Sequence, residues 1–275
     1  MLPEYAKPPV VEVALSVQFE ALNNLLTPQV GLLWAEFRDK FARTEEQPPI
    51  PSQIERFIKG APQGNLPSLQ LLLDKPETPR CWFLNQPGDE LVQVQKDRFV
   101  VNWRKIGDDD QYPRYSQLKN RFISDFGLFQ RFVAREGLGT LQINQCEVTY
   151  VNHIVPGEGW NRPGELHKIS SLWNSNENQS FLPEPEEMGF SVRYVIPNDQ
   201  GNPIGRLHVS LQPAYRRKDN KPIFMLTLIA RGKEVGDDIE SALAFFERGH
   251  IWIVQGFTSI TTELMHGIWG RQDAR

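Results

Sequence analysis

His153 stands in the stretch TYVNHI, beside Asn152. To act as a general base it needs a carboxylate that holds its tautomer and orientation. Glu12 and Glu147 supply one if the strands that carry them pair, and that constellation reads as a hydrolase pocket. A hydrogen-bonded structural or surface histidine needs no such partner and is the commoner case. His250 falls within an apolar helical stripe, where a lone histidine is usually a satisfied core residue. His266 follows sixteen residues later, far from the local spacing of zinc ligands on a helix. His167 and His208 are isolated, so no metal and no cofactor is expected. The run GDDDQ at 107–111 has the oxygen ligands for Mg²⁺. It also precedes an expected helix, as Asp237 and Asp238 precede another, and acids are favoured at a helix start by ~0.3–1 kcal/mol each. The repeated placement favours the helix-start reading.

A second set of residues recognises rather than reacts. The stretch ELVQVQKDRFVVNWRK (90–105) reads as a hairpin with its tip at Lys96-Asp97. Alternation sends Phe99, Val101 and Trp103 one way. Gln93, Gln95, Asn102 and Arg104 then lie on the open face of the sheet. Amides do not titrate and arginine stays protonated, so none is a base near neutral pH. They suit reading a polar partner or an anion. Tyr112-Pro113-Arg114-Tyr115 follows the acid run and is either a helix anchor or one side of a partner site. The expected binding residues are Gln93, Asn102, Arg104, Arg114 and His153. The bland alternative is that Arg104 and Arg114 only neutralise Asp108, Asp109 and Asp110. The phosphate-loop, dinucleotide, esterase-elbow and zincin motifs are absent from the sequence.

The elements that must position these residues come in a repeated order. PPVVEVALSVQFE (8–20) alternates with Val11, Val13, Leu15, Val17 and Phe19 on one side, a strand with one buried face. TPQVGLLWAEFRDKF (27–41) is an amphipathic helix with Thr27 and Pro28 at its start. A Pro-rich loop follows, EEQPPIPSQ. Strands are expected at LPSLQLLLD, RCWFLNQ, ELVQVQ and RFVVNWRK. A long helix carries Tyr115, Leu118, Phe122, Phe126, Phe129 and Val133, and Gly137 and Gly139 end it. The second half repeats the order: strand 141–154, short helix 165–174, three strands, then one long helix from Ile239 through Leu264. The chain therefore reads as duplicated β-α-β(3–4)-α units, 1–138 and 139–275, joined as one pseudo-twofold unit. The fold class is α+β, an antiparallel sheet covered on one face by helices, with the TATA-binding-protein-like and helix-grip-like architectures as analogies.

The bulk properties exclude several classes. The chain has 275 residues, 40% of them hydrophobic and 23% charged, with two cysteines. That is an ordinary globular composition without a disulfide framework, and a reducing cytosol is the expected setting. The first residues, MLPEYAKPPV, lack the apolar core of a signal peptide, and no apolar run is long enough to span a membrane. Together PPVVEVALSVQF, VQVQKDRFVVNWRK with YPRY, CEVTYVNHI and LAFFERGHIWIVQGFTSIT with IWG resemble a sporadically distributed family of conserved hypothetical proteins of bacteria and archaea. The resemblance covers nearly the whole chain. It implies no activity, cofactor or site residue. The family's patchy distribution implies lateral transfer, as in defence islands or toxin–antitoxin modules.

The expectation is a non-enzymatic binding or regulatory protein, with a protein partner or a small ligand, in an antitoxin-like or defence-associated accessory role. The hydrolase with Glu12, Glu147 and His153 is the alternative, and a nucleic-acid binder the third. Net charge is −4, against the basic footprint of nucleic-acid binders. A gel-shift titration is accordingly expected to show no submicromolar binding to duplex DNA. Tight binding with a steep log–log salt slope, which counts released counterions, contradicts that expectation.

Overall fold

The structure, a computed structural model, describes residues 2–57, 78–107, 109–173 and 181–272. The strand expected at LPSLQLLLD (66–74) and Asp108 lie outside the described residues. In chain order the elements are β1 (Glu4–Tyr5), β2 (Val10–Phe19), α1 (Thr27–Phe37), β3 (Arg43–Gln47), β4 (Arg80–Leu84), β5 (Glu90–Gln95), β6 (Arg98–Arg104) and α2 (Tyr115–Arg135). There follow β7 (Ile143–Ile154), a single 3₁₀ turn at Leu166–Lys168, β8 (Phe190–Pro197), β9 (Pro203–Tyr215), β10 (Pro222–Gly232), α3 (Ile239–Ile260), α4 (Glu263–Ile268) and β11 (Arg271–Gln272).

Nine of these strands form one antiparallel sheet in the order β3-β4-β5-β6-β2-β7-β10-β9-β8. The order mirrors about the β2–β7 pair, since β6 follows β2 outward as β10 follows β7. The protein is thus α+β, with helices on one face of an antiparallel sheet.

The helix face is built by the alternation of the strands. Val13, Leu15 and Val17 of β2, Phe99 and Val101 of β6, and Val148 of β7 are fully buried beneath the helices. α2 lays Phe122, Phe126 and Phe129 on this face, and the Phe99 ring stacks on Phe129 with centroids 5.1 Å apart. Phe122 meets Phe246 of α3 edge to face at 4.9 Å. Such pairs add ~0.5–1.5 kcal/mol beyond area burial. α3 approaches the sheet closely at Gly249, where a Cβ would lie 3.0 Å from the Ala230 methyl and 3.2 Å from a Val148 methyl. Trp34 of α1 is half-buried and donates its indole N–H to the Phe41 carbonyl at 2.9 Å.

Several elements differ from expectation. The second face of the sheet is polar but not open. Ser16, Gln18, Gln93, Gln95, Arg98 and Asn102 are all buried there: residues 48–57 cross the sheet over Gln95, Arg98 and Gln18, and the side chains of Arg80 and Trp82 meet Gln93. Arg43–Gln47 is a strand rather than loop, and as an edge strand with little burial it shows no apolar alternation. The last helix breaks at Thr261-Thr262. Thr261 Oγ1 bonds the Phe257 carbonyl at 2.7 Å, Thr262 caps α4, and Leu264 is left exposed. Asp238 caps α3 as expected, accepting the Ser241 N–H at 2.8 Å. The acid run does not start α2, which begins only at Tyr115. Asp110 instead closes a turn by accepting the N–H groups of Ile106 and Gly107 at 2.9 and 2.8 Å.

Phe126 is fully buried among Phe99, Phe122 and Phe129. Phe126→Ala is expected to cost ~3–5 kcal/mol, read as a lower denaturation midpoint; an unchanged midpoint contradicts this packing.

Candidate functional site

A cavity of about 460 Å³ lies where the two halves meet on the helix side of the sheet. Its floor is Val10 of β2, Tyr150 and Asn152 of β7, and Leu228 of β10. α3 contributes His250, Ile253 and Phe257, and the N-terminal residues 2–5 close one side. The remaining wall is the motif Tyr112, Arg114 and Tyr115. The volume is that of a small-molecule site, mostly apolar with a few converging polar groups.

Each polar group has a cause for its position. Tyr150 alternates onto the helix face of β7, where its hydroxyl bonds Tyr112 Oη at 2.7 Å and His250 Nδ1 at 3.0 Å. The His250 ring stacks flat on Tyr115, with centroids 3.9 Å apart and planes 4° apart. The Tyr115 hydroxyl is buried near Glu247 and makes no well-formed hydrogen bond among the described residues. Arg114, with φ of 40° in the left-handed region, turns the chain into α2. A non-glycine residue there is strained and is held by its surroundings. Its side chain is 59% exposed at the solvent side of the cavity and meets Glu4 at 3.8 Å.

Burial decides the charges. It pushes Tyr112 up to about 12, opposed by the bond from Tyr150. It raises Tyr115 and Tyr150 as well, with Glu247 adding to Tyr115 and Tyr112 to Tyr150. It lowers His250 to about 4, with Glu247 opposing. At neutral pH the tyrosines are protonated and His250 is neutral, so Arg114 is the cation that this wall presents. Among the described residues no group of three or more His, Cys, Asp or Glu side chains is placed to hold a metal ion.

The structure separates the residues expected to act together. Gln93, Asn102 and Arg104 share the polar face of the sheet, whereas Arg114 lies on the helix side. Gln93 and Asn102 are buried, at 6% and 2% exposure, so they form no open surface. They belong to a wire: Arg80 and Trp82 donate to Gln93 Oε1, Gln93 donates to Asn102 at 2.7 Å, and Asn102 donates to Glu12 at 2.7 Å. Burial raises the pKa of Glu12 against Asn102, Arg104 and Arg80, which lower it. Arg104 donates to the Gly88 carbonyl at 2.8 Å and lies over the Trp82 ring; Arg114 pairs with Glu4. That differs from the alternative reading, in which the two arginines neutralise the acid run.

Glu147 accepts from Arg231 Nε at 2.6 Å and from Thr149. It stands six residues from His153 on β7, roughly 20 Å at ~3.3 Å per residue. Glu147 and His153 therefore do not meet, whereas Glu12 pairs opposite Val151, two residues from His153, and is engaged by Asn102. His153 lines a different cavity of about 620 Å³ with Lys7, Lys105 and Arg217, and burial lowers its pKa, aided by Arg216.

Tyr150 and His250 escaped the sequence reading as pocket residues. The available signals were the lone histidine in an apolar stripe and the motif YPRY. No family model, no curated protein and no solved structure matches the chain. No helix among the described residues is long and apolar enough to cross a membrane.

The shift of His250 sets a pH dependence. Its folded value of about 4 lies below the ordinary 6.5, so the unfolded chain binds the extra proton between them. Stability is fully present above about 6.5 and is lost as pH falls toward about 4. His250→Gln is expected to flatten that part of the melting-temperature profile relative to wild type. Ring chemical shifts that show His250 titrating near 6.5 contradict it.

Proposed function

We propose that the protein is a non-enzymatic binding protein, and that the cavity at the seam holds a small, largely apolar molecule carrying one anionic group. The observation that carries this reading is the convergence of Tyr112, Tyr115, Tyr150 and His250 from both halves on one cavity with Arg114 at its solvent side. The Arg114–Glu4 pair is long and exposed, and such pairs are worth ~0–1 kcal/mol. An incoming anion displaces Glu4 at little cost and gains a planar guanidinium fork. Hydroxyls of the tyrosine chain orient polar atoms of the ligand. The same groups make poor proton-transfer catalysts near neutrality, because the tyrosines hold their protons and His250 resists taking one. The separation of Glu147 from His153, and the engagement of Glu12 by Asn102, weigh against a hydrolase on the other face. On the resemblance in sequence, an accessory role beside a toxin or a defence protein is the setting we propose.

Matched probes test the reading by titration calorimetry: benzoate against benzyl alcohol, and hexanoate against hexanol. The anions are expected to bind wild type and to lose about tenfold or more in Arg114→Ala, as loss of a charge-assisted bond implies. The alcohols are expected to be indifferent to that change. Equal binding of anions and alcohols, or no effect of Arg114→Ala, overturns the proposal.

A further inference from the structure

The polar face of the sheet holds a second site. Gln95, Arg98, Gln18 and Gln145 stand side by side on β5, β6, β2 and β7. Residues 48–57 run across this row and pair with no strand. Gln95 reads Ile50 with both ends of its amide, accepting its N–H at 2.8 Å and donating to its carbonyl at 2.8 Å. Gln18 accepts the Gln53 N–H at 3.0 Å, and Gln145 accepts the Glu55 N–H at 2.8 Å. Arg98 donates to the Pro51 carbonyl at 3.3 Å, and Arg206 to the Arg56 carbonyl at 2.8 Å. From Ile50 to Glu55 the segment passes from β5 to β7, three strand spacings of ~4.8 Å, or roughly 14 Å. Five residues reach roughly 17 Å when extended, so the segment is drawn nearly straight.

The recognition is mostly of backbone, with one side chain as anchor. Glu55 sits in a cage where Arg206 donates to one carboxylate oxygen and His208 Nε2 lies 2.6 Å from the other, with Arg231 at 3.6 Å. Only 9% of the Glu55 side chain is exposed. Burial alone would raise the Glu55 pKa, but the bonds from His208 and Arg206 lower it overall. Arg206 also covers the Phe57 ring at 4.2 Å. Ile54 points its bulk to solvent at 44% exposure. Amides that bond an extended main chain, with a pocket for one side chain, are the means by which peptide receptors combine tolerance with specificity.

We propose that this face is a groove for an extended acidic peptide of a partner protein, and that residues 48–57 occupy it as an internal ligand. A partner segment that runs extended and places a carboxylate at the Arg206–His208–Arg231 cage exchanges with it. Exchange is feasible because the groove is polar: water takes over each released bond, which an apolar groove does not allow. The inference is independent of the cavity on the other face.

A labelled peptide of residues 47–57, QPPIPSQIERF, tests it by fluorescence anisotropy against the full chain. Glu55→Arg places a cation in the cage and frees the groove. That variant is expected to bind the peptide about tenfold or more tightly than wild type, since breaking a buried charge pair acts at that scale. The gain should vanish when the peptide carries Gln in place of its Glu. Glu55→Gln serves if Glu55→Arg does not fold. Equal affinity for wild type and a folded variant, or no binding to either variant, overturns the proposal. Hydrogen exchange on wild type gives a second reading without substitution. The Ile50, Gln53 and Glu55 amides are expected to exchange roughly 100-fold faster than those of β6, as a locally detaching segment does. Exchange at the β6 rate means that the segment is a fixed part of the fold, and the proposal fails.

Discussion

The antiparallel pairing of β2 with β7 is the interaction on which the rest depends. It joins Val13 to Tyr150, Leu15 to Val148 and Gln18 to Gln145, and so makes one sheet from two halves. Both candidate sites straddle it. On the helix side, Tyr112 and Tyr115 of the first half reach Tyr150 and His250 of the second. On the other side, Glu55 of the first half enters a cage of Arg206, His208 and Arg231 from the second. Neither site has its residues together unless those two strands lie side by side.

The two faces solve opposite physical problems. The helix face buries phenylalanines, whose stabilisation grows with apolar area and asks little of direction. The other face buries amides and guanidinium groups, and each such group left unpaired costs ~1–3 kcal/mol. The segment 48–57 supplies the missing donors and acceptors from its own backbone. A polar row and an extended chain thus satisfy each other. The cavity combines both regimes: apolar walls remove water, and that removal keeps His250 neutral and the tyrosines protonated.

Much of the architecture was legible before any coordinates. The two-residue period of β6 and the three-and-four spacing of α2 are local consequences of backbone geometry and recur in the structure, whereas in β2 a register shift between Val10 and Glu12 buries Val10 in place of Val11. The antiparallel strands followed from the element order, whereas the short helix expected at 165–174 is, among the described residues, a single 3₁₀ turn at Leu166–Lys168. The misses share a cause, since each turned on a contact distant in sequence or on a side chain competing with the main chain. Arg43–Gln47 is a strand because β4 lies beside it, and nothing in RTEEQ announces that. Thr261 and Thr262 end α3 by bonding backbone groups, although the apolar stripe runs on past them. Asp110 bonds the chain behind it rather than the helix ahead.

The binding residues divide in the same way. Side-chain direction in Gln93, Gln95 and Asn102 was determined by alternation alone, because successive residues of a strand must face opposite ways. Whether that face met solvent was decided only by contacts distant in sequence: residues 48–57 over Gln95, and the side chains of Arg80 and Trp82 at Gln93. Sequence likewise placed Tyr112, Arg114 and Tyr115 at the start of a helix and His250 within another. Their convergence with Tyr150 required α2 and α3 to pack over one seam. Periodicity acts within an element and is written in it. A pocket is a relation between elements, made by long-range packing that no single stretch of chain contains.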